Sequence, residues 1–571
     1  MGARSWPATA LLALALASFA VALGAQKIRS FDYWFHLKTG ERIAATGEVP
    51  KQDPYSFSVP GARWVDVHWL HQLGLHGLYR LGGHEAVVLG KGALALALAA
   101  ALAWAARRRD RPALTAFAVG LGLFVASDRI MPRPELPTFV LLALELALLE
   151  RFRARPDAWI LALAPLHLVW ANLHGLFAVG LAVAWAAPAA QWLDARLAGR
   201  PPDARRLRLL AAAAALASAA CLVNPNGLDG VLYPAQQLLM IGPAESRAAV
   251  GLNSAELVPL VSGWTRVHPP LLAGFLALAA LSLAALVANL RRLRSLDVFL
   301  WCAFFALALA AVRNLALFGV VAAPVLARGA AEVLDAHPLP RALARAGAAA
   351  AAAVLLACAG FVASGAFALR TGLVREPGLG VLEAIHPVGA VDFLAREHPP
   401  GPLYHANGDG GYLIWRLHPD YPVLSDGRLE VYGSRLRSLS DPSVEGFRAL
   451  DREFHFGAAL LSHAQFDFDA LIRFLAASPA WRLAFADDAA VVFVRRRPGE
   501  LSPDLGTTEQ ALFAPLPDDA RSVSDLLRRQ GRARLLYSLG RGFESRRYVN
   551  EVRLRYPGFA WSDVELAERG Y

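Results

Sequence analysis

From about residue 7 to about residue 368, apolar stretches long enough to cross a bilayer follow one another, and then they stop. A crossing helix needs about 20 largely apolar residues. By that criterion spans are expected near 7–25, 86–106, 112–128, 135–151, 157–172, 174–193, 206–224, 269–289, 295–312, 313–331 and 345–368, about eleven in all. The first follows Arg4 and is rich in Ala and Leu; the spans behind it make it read as an uncleaved first helix. The 571 residues are 56% hydrophobic and only 18% charged, with a mean hydropathy of +0.38. Soluble chains run at about 45–50% apolar and about 25% charged. That composition excludes a purely soluble enzyme and a disordered chain. Cys221, Cys302 and Cys358 all fall within or beside apolar spans, so a disulfide scaffold is excluded too.

The net charge of +10 is a topology signal. Arginines gather at Arg107–Arg109 with Arg111, at Arg151, Arg153 and Arg155, between Arg196 and Arg208, at Arg291, Arg292 and Arg294, and at Arg328, Arg341 and Arg345. Each cluster falls on the same side of the spans, and short Lys/Arg-rich loops stay in the cytoplasm. The expected localisation is therefore a multi-pass protein of a bacterial inner membrane, with its N-terminus in the cytoplasm and everything after about residue 369 exported. Anionic lipid is the counter-charge this implies. Nucleic acid is not needed as a partner.

The first outer loop, 26–85, is dense in chemistry. Asp32, Trp34 and His36 stand at its start, and Asp53, Asp66, His68, Trp69 and His71 follow. A carboxylate at the membrane edge is costly and marks Asp32 for function, whereas Asp53-Pro54 reads as a turn. His68, His71 and His76 have helical spacing but lack a completing zinc motif, so a polar helix face is the simpler reading. Further outer ends carry Asp128-Arg129, Arg133-Pro134-Glu135, Asn172 and His174 within Trp170–Gly175, Asn224–Gly227, a segment with Glu245, Arg247 and Glu256, and Arg313-Asn314. Arg313 stands alone in sign near its outer end and suits a phosphate.

After residue 369 an α/β domain to about residue 500 is expected. Pro402–His405, Tyr412–Trp415, FGAALLSHAQ and AAVVFVRRR read as strands, DALIRFLAA as a helix, and Asn407–Gly411 as a tight turn. Residues 501–571 read as two or three amphipathic helices loosely like one tetratricopeptide unit, which needs something to pack on.

Several segments carry a resemblance in chain order: FDYWFHLKTGERIAATGEVPKQDPYSFS with Trp64 and Trp69-Leu70, then RPELPTF, WANLHG, NPNG, RNLALFGVVAAP and GGYLIWRLHPDYPVLSDGRLEVYG. Together they resemble a little-characterised family of bacterial polytopic membrane proteins. That family is similar to the GT-C superfamily of polyprenol-phosphate-dependent glycosyltransferases. The resemblance implies a GT-C-like membrane domain over 1–368, followed by the exported domain and the helical tail. It implies an inverting transfer of sugar from a polyprenyl-phosphate donor on the extracytoplasmic face. Asp32 would be the catalytic carboxylate of the first loop, acting on the acceptor. Arg313, Arg129 and Arg133 would hold the donor phosphate, and Trp34, His36, Asp66, His68, Trp69, Asn172 and His174 would meet sugar or acceptor. Many such enzymes carry paired acids where this chain has Asp32 and Tyr33, so a divalent cation stays an open question. Membrane lipid, the polyprenyl-linked sugar and an envelope protein at the C-terminal domain are the implied partners. Two alternatives remain: a non-catalytic scaffold of an envelope assembly system, and a lipid-linked glycan transporter.

Overall fold

The computed structural model describes residues 6–106, 111–241, 257–264, 267–497, 499, 504–517 and 519–557. Arg107, Arg108, Arg109, Glu245, Arg247, Glu256 and the end of the helical tail lie outside the described residues. Contacts divide the chain into two compact units. The first comprises Met1–Gln26, Val65–Leu239 and Ser254–Ser364; the second comprises Lys27–Trp64, Met240–Asn253 and Gly365–Tyr571.

The first unit is helical: α1 (Trp6–Gly24), then, past α2 (Tyr33–Thr46) of the second unit, α3 (Trp69–Ala105), α4 (Pro112–Ala126), α5 (Glu135–Ala154), α6 (Leu163–Leu173) and α7 (Phe177–Leu197). It continues with α8 (Ala204–Ala220), α9 (Gly227–Ile241), α10 (Pro269–Ala288), α11 (Ser295–Ala310), α12 (Leu315–Ala336) and α13 (Arg341–Ala363). Among the described residues, four helices are long and apolar enough to cross a membrane: Trp69–Ala105, Pro269–Ala288, Val312–Ala336 and Arg341–Ala363. Shorter apolar helices cover Ala8–Gly24, Ala158–Leu173 and Ser295–Ala310.

Helix α12 is the axis of this unit, with every residue from Leu315 to Arg328 buried. It meets α4 through two glycines. A Cβ on Gly122 would stand 2.7 Å from the carbonyl oxygen of Gly319, and one on Gly319 would stand 2.8 Å from that of Gly122. Lipid supplies no hydrophobic drive for helices to associate, so close backbone approach at small residues carries the packing. Helix α3 breaks at Gly82-Gly83, where Gly83 has φ +64. The break leaves an N-terminal piece at 69–81 ahead of the apolar run that begins near residue 86.

The second unit weaves the segment after α1 into the C-terminal region. Ile28 bridges Val381 and Ser56 bridges Val423, while Ser58 Oγ donates to the Leu424 carbonyl. Its sheet has the order β1-β2-β4-β3, from β1 (Leu403–Tyr404), β2 (Ala458–Leu461), β3 (Trp481–Ala486) and β4 (Val491–Arg495). β1 runs parallel to β2, and the other pairs are antiparallel. The helices of this unit after α2 are α14 (Val388–Glu397), α15 (Asn407–Leu417), α16 (Val444–Phe454), α17 (Asp469–Ala477), α18 (Val523–Ser538) and α19 (Gly542–Arg555). α18 starts on a capping box of Ser522 and Asp525. Its Val523, Leu526 and Leu527 bury against Leu382, Ala384 and Ile385.

Two expectations are corrected here. Asn407–Gly411 is not a turn but the first turn of α15, and Tyr412–Trp415 continues that helix rather than forming a strand. The β-prone side chains are overridden by packing on α2. Gly410 and Gly411 let the backbones touch: a Cβ on Gly410 would sit 2.0 Å from the Ser425 carbonyl oxygen, and one on Gly411 2.7 Å from that of Phe31. The aromatic residues then interlock, with Tyr412 edge-on to Trp34 at 4.7 Å.

Asp409, in the same turn, is wholly buried. Its Oδ2 accepts from Ser462 Oγ at 2.7 Å, and its Oδ1 has no hydrogen-bond partner among the described residues. Burial pushes its pKa up to about 7 against the pull of the Ser462 hydroxyl. A raised carboxyl pKa stabilises the fold fully below the unfolded value of about 3.9, and that contribution is lost as pH rises through about 7. Asp409→Asn removes this titration. The melting temperature of the purified full-length variant is expected to gain on the wild type as pH rises from about 5 to about 8. A gap that stays constant over that range would contradict the assignment.

Candidate functional site

The first unit gathers several of the expected site residues at one place. Arg129 closes the single turn Ser127–Arg129 after α4, and Glu135 opens α5, so the short link Ile130–Pro134 brings both to the same helix ends. Arg129 is buried and forms an ion pair with Glu135. The charges of Arg129, Arg133 and His174 all bear on Glu135. His174 ends α6, and its ring lies 5.4 Å from that of His68. The charge of Arg313, just ahead of α12, also bears on His174. Glu135 therefore interacts with Arg129, Arg133, His174 and His68, while Arg313 acts on His174.

His68 is held neutral. Burial pulls its pKa down to about 4, although Glu135 opposes the shift. The cationic character of the cluster thus comes from Arg133 and Arg313 together with the Glu135-paired Arg129, not from His68. Among the described residues, no set of three or more His, Cys, Asp or Glu side chains comes together in a way that could hold a metal ion.

Other residues expected to touch sugar also bond to the frame. Asp66 is fully buried; its Oδ1 accepts from the His68 backbone at 3.0 Å and from Gln72 Nε2 at 3.2 Å, which fixes the start of α3. Trp69 Nε1 donates to Asn172 Oδ1 at 2.8 Å, and Asn172 Nδ2 donates to the carbonyls of Leu168 and Val223, both at 2.8 Å. Asn226 Nδ2 donates to the Asp66 carbonyl at 2.8 Å. These bonds tie α3, α6 and the Asn224–Gly227 turn into one frame around the cluster. Thr138 and Glu135 also belong to this environment, and the sequence assigns neither a role in binding. The Arg-Pro-Glu-Leu-Pro-Thr run was the available signal, because an acid and a hydroxyl one turn apart at a helix start face one way.

Asp32, Trp34 and His36 lie in the second unit. Asp32 precedes α2 as its N-cap residue, without a side-chain cap bond. Its carboxylate stands against the Ser425–Arg428 turn: a Cβ on Gly427 would come within 2.3 Å of Asp32 Oδ1. Trp34 is only 2% exposed and packs edge-on to Tyr33, His386 and Tyr412. His36 is buried beside Phe35, with ring centroids 4.1 Å apart.

The turn beside Asp32 is held by a buried ionic group that involves Asp53. Arg428 makes a 2.8 Å ion pair with Asp53 and a bidentate one with Asp426, and Tyr432 donates to Asp426 at 2.6 Å. Its guanidinium lies 4.9 Å from the Tyr55 ring and 4.7 Å from the Trp64 ring. Burial opposes the charge on Asp426, and Arg428 wins, holding the carboxyl below its usual range. Asp53, expected only as a turn residue, also accepts from the backbone of Tyr55 and Ser56.

No protein-family profile matches the chain, and no curated protein matches it either. Among solved structures, the crystal structure of the Archaeoglobus fulgidus oligosaccharyltransferase in the apo form is similar over 87% of this chain and 75% of that one, with a TM-score of 0.51 at 12% sequence identity. At that identity the likeness concerns the fold. A helical, apolar chain with a small sheet is thus similar in fold to that oligosaccharyltransferase, in agreement with the glycosyltransferase-like architecture expected from the sequence.

Proposed function

We propose that the protein is an integral membrane glycosyltransferase that moves a sugar from a polyprenyl-phosphate-linked donor to an acceptor on the extracytoplasmic face. The observation that carries this reading is the Arg129-paired Glu135 with Arg133, His68 and His174 acting on it, and Arg313 acting on His174. Fold likeness to an oligosaccharyltransferase supports the reaction class. The eleven-span topology with an exported C-terminal region, the bacterial inner membrane as location and an envelope partner for that region belong to the same proposal.

In this account Asp32 accepts the proton of the acceptor hydroxyl as that oxygen attacks the anomeric carbon. The bond from the anomeric carbon to the phosphate oxygen breaks, its electron pair stays on the phosphate, and the anomeric centre inverts. Arg313 and Arg133 offset the charge that grows on the leaving phosphate, an interaction stronger in the transition state than in the ground state. The N-terminal amides of α12, next to Arg313, add partial positive charge. Glu135 limits the net charge of the cluster and, through Arg129, fixes its geometry.

Arg313→Ala in the full-length protein, titrated with polyprenyl phosphate in nanodiscs, is expected to weaken binding by about tenfold or more, the scale of one charge-assisted hydrogen bond. An unchanged dissociation constant would remove Arg313 from the site.

A further inference from the structure

Thr138 lies one turn into α5 and is wholly buried. Its hydroxyl meets two side chains. Trp170 Nε1 lies 3.0 Å from Thr138 Oγ1, and His174 Nδ1 lies 3.1 Å from the same oxygen. Trp170 is itself fully buried, and an indole N–H can only donate. Thr138 Oγ1 therefore accepts from Trp170, and its single proton is left for one acceptor.

His174 Nδ1 is the acceptor in reach. The opposite arrangement, with an Nδ1–H donating to Oγ1, would set two donors on one hydroxyl and strand the hydroxyl proton, since no other acceptor contacts it among the described residues. A histidine whose Nδ1 accepts a hydrogen bond carries its proton on Nε2. That tautomer turns His174 from an ambiguous ring into a fixed donor. The charges of Glu135 and Arg313 both bear on it, and His68 is its ring neighbour at 5.4 Å.

We propose that Thr138, braced by Trp170, is a positioning residue that locks His174 as the Nε2–H tautomer, so that the imidazole donates a hydrogen bond to a phosphate oxygen of the carrier lipid. The ligand in this statement rests on the function proposed above; the tautomer does not.

The test is nitrogen-15 NMR of histidine-labelled full-length protein in nanodiscs, with His174→Gln assigning the signals. The wild type is expected to show an unprotonated Nδ1 and a protonated Nε2 at His174. Thr138→Ser, which keeps the hydroxyl, should preserve that signature. Thr138→Val, which keeps the volume, should lose it and weaken polyprenyl phosphate binding by about tenfold. A protonated Nδ1 in the wild type overturns the proposal without any variant having to fold, and so does an unchanged signature in Thr138→Val. If the wild type binds no polyprenyl phosphate, the function reading and the ligand named here fall together, while the tautomer result still decides the role of Thr138.

Discussion

Replacing Arg428 with alanine is expected to cost the second unit about 3–5 kcal/mol, the usual penalty for leaving partners of a buried ion pair uncompensated. The substitution strands two carboxylates at once. Asp53 and Asp426 are both buried, and both lean on the same guanidinium. It also empties the space between the rings of Tyr55 and Trp64. Arg428→Lys should recover little, because one ammonium cannot reproduce the bidentate grip on Asp426 while reaching Asp53. By contrast, Arg428→Met combined with Asp53→Asn and Asp426→Asn removes the charges together and should cost much less than Arg428→Ala. Hydrogen exchange on the purified full-length protein would read the effect directly. The single variant should lose protection over 52–64 and 423–432 together, since Arg428 ties Asp53 to Asp426 beside the Ser56–Val423 and Ser58–Leu424 contacts of the same two segments. Loss confined to either segment alone would contradict this account.

The second large effect concerns Asp32. Asp32→Asn keeps the shape of the side chain and removes the base, and transfer from a lipid-linked sugar is expected to fall by about 10²–10⁴-fold. Gly427→Ala offers an indirect version, since its Cβ would arrive 2.3 Å from Asp32 Oδ1 and must displace that carboxylate. Both variants should lose turnover while keeping affinity for polyprenyl phosphate, which the account assigns to Arg313 and Arg133. Retained turnover in Asp32→Asn would exclude the carboxylate as base. Equal loss of binding and turnover would instead place Asp32 in the donor site.

Much of the frame was legible from the chain alone. The apolar runs predict about eleven spans, of which four among the described residues are helices long and apolar enough to cross a membrane, and Leu403–Tyr404, Ala458–Leu461 and Val491–Arg495 lie where alternating or apolar short runs predict strands. The helix Asp469–Ala477 coincides with DALIRFLAA. Local pattern failed where tertiary contact decides. Tyr412–Trp415 has strand-forming side chains, yet Gly410 and Gly411 seat it as a helix against Phe31 and Ser425. Asp53 does cap its turn, accepting from the backbone of Tyr55 and Ser56, but its ion pair with Arg428 joins residues far apart in the chain, and nothing in the sequence pairs the two. At the cluster, the motifs Arg133–Glu135, Trp170–Gly175 and Arg313-Asn314 are stretches whose side chains act on one another in the structure, but the sequence does not show which residue pairs with which. Asn172, Trp69 and Asp66 are expected sugar or acceptor residues by type. They also make hydrogen bonds within α3, α6 and the Asn224–Gly227 turn, which the sequence does not show.

The central claim is that this chain works on a sugar carried by a polyprenyl phosphate. It is tested most directly by mass spectrometry of the lipid retained when the full-length protein is extracted from its native membrane. The account predicts a polyprenyl phosphate or its glycosylated form, enriched over bulk phospholipid and lost on Arg313→Ala. Retention of bulk phospholipid alone, identical in wild type and Arg313→Ala, would contradict it.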